Sequence, residues 1–104
     1  MARNTEGTVT EFSEAMETTL QTPQNARKPH WRTRNIPYLI KRLYEEVEEL
    51  EDILIALKEV ERLDLPYLEV LSRIQEKAQS EATDVANFAM MIWDNIRNGH
   101  SVNR

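Results

Sequence analysis

The chain has 104 residues, two glycines, four prolines, no cysteine and a formal net charge of −5. That length suits one domain with a modest core, and the missing thiols exclude disulfides, thiolate metal sites and cysteine nucleophiles. The acidic balance argues against binding duplex nucleic acid; with no bilayer-length apolar run and no basic-then-apolar leader, a soluble cytoplasmic protein without membrane contact is expected.

Leu, Ile, Glu, Lys, Arg, Ala and Met dominate the middle of the chain, and no stretch alternates β-branched with polar residues, so the expected fold class is all-α. Residues 1–9 read as a loose start. Thr8 and Glu11 have capping-box spacing, and Phe12, Ala15, Met16, Thr19 and Leu20 form a helical stripe, which predicts a helix over about 9–21. Residues 22–36 read as a loop, interrupted by Pro23 and Pro29 and carrying Arg27, Lys28, Arg32 and Arg34 without an acid. Pro37 suits the first turn of a core helix over about 37–63, where Ile40, Leu43, Val47, Leu50, Leu54 and Leu57 make one apolar seam. Asp64 and Pro66 break it. A short helix or turn is expected at about 66–73 and a second core helix at about 74–97, stopped by Gly99; the sequence leaves open whether helix restarts at Pro66 or near Ile74.

Several acids occupy positions where solvated charges are not expected. A helix advances about 100° per residue, which puts Glu45 nearly opposite the seam and Glu46 roughly 70° from its centre, with Glu49 one turn on along the same flank. On the second core helix, Glu81 falls inside the stripe of Ile74, Ala78, Val85, Phe88 and Ile92, and Asp84 lies at its edge. A lone ionised carboxylate there costs several kcal/mol unless it is paired or metal-bound. Lys77, four residues before Glu81, is a candidate salt-bridge partner, but it does not account for Asp84 or the Glu46–Glu49 pair. If both stripes meet in one core, the four acids converge, and a hard divalent cation held by oxygen alone, magnesium or manganese, relieves their repulsion. His30 and His100 read as loop or surface residues.

Glu45-Glu46-Val47-Glu48-Glu49 followed by Glu81-Ala82-Thr83-Asp84 resembles the EExxE…ExxD signature of the MazG-like, all-α NTP pyrophosphohydrolase superfamily, which also holds the dimeric dUTPases and phosphoribosyl-ATP pyrophosphohydrolases. Residues 84–92 and Lys28-Pro29-His30-Trp31 are similar to short phage- and virus-type members, and the resemblance covers about 10–97. It implies Mg2+ (Mn2+ as a substitute) on Glu46, Glu49, Glu81 and Asp84. The implied reaction is (d)NTP plus water giving (d)NMP and pyrophosphate. Lys77 would lie near the phosphates and Asn87 would face the nucleotide. The interval from Glu49 to Glu81 is longer than in compact members, with extra residues around 62–73.

In such a reaction Glu46 or Glu49 orients the attacking water as general base. Trp31 is a candidate for stacking on the base or, equally, a loop anchor; Lys28 and its basic neighbours are phosphate contacts or a solvated loop. Phe88–Trp93 is apolar around nearly the whole helix, so a helical bundle completed as a homodimer or homotetramer is expected. The alternatives are a non-catalytic helical interaction module, or a sister enzyme of the same fold acting on dUTP or phosphoribosyl-ATP.

Overall fold

The computed structural model describes residues 5–26, 28, 30–63 and 68–103. Among them all regular structure is helical: α1 (Thr5–Leu20), α2 (Pro23–Ala26), one 3₁₀ turn (Trp31–Thr33), α3 (Ile36–Arg62) and α4 (Leu68–Arg97). α3 and α4 form a long antiparallel hairpin, with Arg42 against Phe88 near its open end and Glu46 against Glu81 and Asp84 further along. α1 lies on α4, where Asn87 Nδ2 donates to the Met16 carbonyl over 3.3 Å.

Local chemistry explains the ends of the hairpin. The Asn35 side chain accepts from the Tyr38 amide at 2.8 Å and caps α3, with Pro37 in the first turn, where its missing N–H is harmless. α4 ends on Gly99 at φ 85°, a left-handed conformation that closes the helix through His100 N–H to the Asn95 carbonyl (2.9 Å) and Gly99 N–H to Ile96 (3.0 Å).

Three expectations change. α1 is already helical at Thr5, so Thr8 and Glu11 lie inside the helix and do not cap it. The basic loop is not wholly irregular: α2 and the 3₁₀ turn fall within 22–36, while Arg27 lies outside the described residues. The elements expected at 66–73 and 74–97 are one helix from Leu68, and the breakers Asp64 and Pro66 lie outside the described residues.

The packed direction of α3 also differs. Ile36 and Leu39 are buried and Leu43, Leu50, Ile53 and Leu57 half-buried, whereas Ile40, Val47 and Leu54 stay 38%, 40% and 46% exposed. The single seam read from the sequence mixes two adjacent stripes. The inner one faces α4 and its centre lies roughly 40° from the predicted one, which carries Glu46 from the border into the packed face. On α4, Phe88, Met90, Met91 and Ile92 are half-buried, leaving Ala89 and Trp93 exposed in the segment expected to be apolar all round.

The Trp31–Arg34 segment is fastened to the end of α4 by two buried polar residues. Asp94 accepts from Trp31 Nε1 (2.9 Å), Arg32 Nε (2.8 Å) and Arg97 Nη2 (2.6 Å). Asn95, fully buried, donates its amide to the Trp31 and Arg34 carbonyls at 3.0 and 3.1 Å. Asn95→Ala strands both carbonyls, and we expect urea unfolding to register a loss of about 2 kcal/mol. The hydrogen bond from Arg32, then that from Trp31, hold the Asp94 carboxyl far below the usual range despite its burial. Its stabilisation is therefore complete above the unfolded carboxyl pKa of about 4 and lost on acidification. Urea melts of the protein and Asp94→Asn should differ most at neutral pH, and the gap should narrow as pH falls below about 4.

Candidate metal centre

One cavity of about 750 Å³ opens between α3, α4 and the α1–α2 corner. Eight of the residues singled out from the sequence line it: Lys28, Trp31, Glu46, Glu49, Lys77, Glu81, Asp84 and Asn87. At its base Glu46, Glu81 and Asp84 each offer a carboxylate oxygen, all within 4.8 Å of one another. Glu49 is exposed on the wall and stands outside this trio.

Two of these carboxylates are built alike. Glu46, 6% exposed, has Oε1 held by Arg42 Nη2 at 2.8 Å, while Oε2 is buried and without a partner. Glu81, also 6% exposed, has Oε1 against Lys77 Nζ at 3.1 Å, and its Oε2 is likewise buried and unpartnered. Each acid is thus oriented through one oxygen by a cation four residues earlier on its own helix, leaving the other oxygen orphaned in the cavity. A buried orphan acceptor is costly, and two beside a third carboxylate match the donor set of a hard divalent cation.

The electrostatics agree with that geometry. Burial, then the charges of Glu81 and Glu49, push the Asp84 carboxyl above its ordinary pKa; Lys77 and Lys28 pull the other way. The Lys77 ammonium is pushed up, first by its hydrogen bond to Glu81 and then by that residue's charge. Lys77 is therefore the salt-bridge partner anticipated from its spacing, with a side chain still 61% exposed.

The remaining predicted residues form the walls. Asn87 is buried, with its amide given to the Met16 carbonyl and its Oδ1 left without a partner. Trp31 is anchored through Nε1 to Asp94 and stacked on His30 at 4.1 Å between centroids. Lys28 is exposed at the mouth. Arg32 turns to Asp94, and Arg34 lies over the Tyr38 ring at 4.8 Å. His30 lines the cavity apart from the acid trio, and His100 lies beyond the end of α4.

Sequence reasoning missed Arg42 and Asp94. Arg42 bonds Glu45 as well as Glu46 and lies over the Phe88 ring at 5.1 Å. Its signal was present: Arg42 precedes Glu46 by the same four residues that separate Lys77 from Glu81. Comparison with protein families, curated proteins and solved structures returns no match for this chain.

The raised pKa of Asp84 means that the folded, metal-free protein binds this proton more tightly than the unfolded chain. Its contribution favours folding at low pH and is lost as pH rises through the folded value. Asp84→Asn should therefore melt above the unsubstituted protein at neutral pH without metal, with the difference vanishing in acid. With Mg2+ or Mn2+ at a hundredfold excess over its Kd, the unsubstituted protein should gain about 2.7 kcal/mol and Asp84→Asn much less. Thermal melts with and without the ion check both.

Proposed function

We propose that the chain is a magnesium-dependent nucleoside triphosphate pyrophosphohydrolase of the MazG-like type, converting (d)NTP and water to (d)NMP and pyrophosphate. The observation that carries this reading is the pair of orphaned buried oxygens, Glu46 Oε2 and Glu81 Oε2, converging with Asp84 in a cavity large enough for a nucleotide. Glu46, Glu81 and Asp84 would hold the ion. Mg2+ (or Mn2+) there would supply charge neutralisation for the phosphates and activation of the attacking water.

The chain's own residues supply the rest. Lys77 and Lys28, both on the cavity, contact phosphate oxygens. Glu46 is buried and tied to Arg42, whereas Glu49 is exposed on the wall and outside the trio, so Glu49 is the acid placed to orient the attacking water and accept its proton. Asn87 offers its unpartnered Oδ1 to the nucleotide, and Trp31, which lines the cavity, stacks on the base. A cytoplasmic setting suits such a substrate, and among the described residues no helix is long and apolar enough to cross a membrane.

The same reading makes the protein a homodimer or homotetramer. Among the described residues only Ile36, Leu39 and Ala78 are buried apolar side chains, and large ones stay exposed on both long helices. A helical interaction module without catalysis shares this last feature but leaves the orphaned carboxylate oxygens without a role.

Pyrophosphate and monophosphate release from a panel of NTPs and dNTPs, with and without Mg2+, tests the reaction. We expect metal-dependent turnover of at least one, and a loss of roughly a hundredfold or more in kcat for Glu81→Gln with the fold intact. Equal turnover by Glu81→Gln, or none across the panel from a folded protein, overturns the reading.

A further inference from the structure

The chain exposes 8163 Å² and has a radius of gyration of 16.4 Å. A compact monomer of 12.2 kDa exposes about 6,100 Å², with a radius of gyration of about 13 Å. The excess of roughly 2,000 Å² falls within the range that one protomer of an obligate homodimer buries, about 1,000–2,500 Å².

The outer stripe of α3 is the exposed apolar surface with the most regular spacing. Ile40, Val47 and Leu54 recur every seven residues at 38%, 40% and 46% exposure, and Tyr44, 66% exposed, lies between the first two. This stripe is turned roughly 70° from the inner face that packs on α4, so the hairpin leaves it partly exposed. A seven-residue apolar repeat is the pattern by which helices pack on one another along their length.

The order of the stripe is self-complementary when reversed. Ile40 stands seven residues before Val47 and Leu54 seven after it; Tyr44 stands three before and Glu51 four after. Set antiparallel against its own copy about a twofold axis at Val47, the stripe places Val47 on Val47, Ile40 on Leu54 and the Tyr44 hydroxyl near the Glu51 carboxylate. A twofold interface requires this kind of self-matching patch.

We infer that the Ile40–Leu54 face of α3 is the contact surface of a symmetric dimer, α3 packing antiparallel on its own copy with Val47 at the axis. This rests on the self-association proposed above and adds to it the face, the direction and the centre.

The chain has no native cysteine, so single thiols report unambiguously. Val47→Cys, oxidised in air at a concentration where the unsubstituted protein sediments as an oligomer, should run mostly as a covalent dimer on a non-reducing gel. Asp52→Cys, exposed on α3 but well away from the stripe, should stay unlinked. Ile40→Cys should link only when mixed with Leu54→Cys, and circular dichroism verifies that each variant is folded. An oligomer in which Val47→Cys stays unlinked, or links no better than Asp52→Cys, overturns the assigned face while self-association stands. A monomer by sedimentation overturns both.

Discussion

Confined negative charge governs this molecule. Glu46 and Glu81 are nearly withdrawn from water, with Asp84 within ligand distance of both, and like charges so placed repel more strongly than they would in solvent. The local helices answer half of that repulsion. Arg42 and Lys77 each take one oxygen, and both cations stay partly exposed, so neither carries the full desolvation cost of a buried ion pair. The unanswered half is the orphaned oxygens and the strained acidity of Asp84. Folding therefore carries an electrostatic cost concentrated at one point.

The rest of the architecture serves to hold that point in place. A two-helix hairpin alone leaves the open end of the cavity without walls. Asp94 and Asn95 draw the Trp31–Arg34 segment down onto α4, while the Asn87–Met16 hydrogen bond ties α1 to the same helix. α4 is thus the common support: it supplies two of the three carboxylates and both attachments of the walls. The fastening is polar and directional, so it fixes geometry more closely than apolar contact alone would.

Much of this was legible in the sequence. Periodicity places α3 within one residue and the end of α4, though not its start, and the position of Glu81 inside an apolar stripe singles out an acid that the fold buries beside Glu46 and Asp84. Less legible was the packed direction of α3, because Ile40, Val47 and Leu54 share the helix with a second stripe and a periodicity average points between the two. Once that direction is known, Glu46 falls inside the packed face rather than at its border. The capping-box spacing of Thr8 and Glu11 misled because it is a local signal, and α1 continues N-terminal to it. Asp94 could not be found by spacing at all: its partners Trp31 and Arg32 are more than sixty residues away and are brought to it only by the antiparallel fold.

The hairpin has a further consequence for its own reading frame. Glu46 lies sixteen residues before the end of α3 at Arg62, about 24 Å along the axis, and Glu81 lies a comparable distance inside α4 from Leu68. Residues added at the closed end lengthen both arms together, and the facing of Glu46 on Glu81 and Asp84 is unchanged. The interval between the two acidic motifs is therefore a free length, while the four-residue steps from Arg42 to Glu46 and from Lys77 to Glu81 are fixed by the turn of the helix. A search for chains built this way gains more from those two short steps than from any set distance between them.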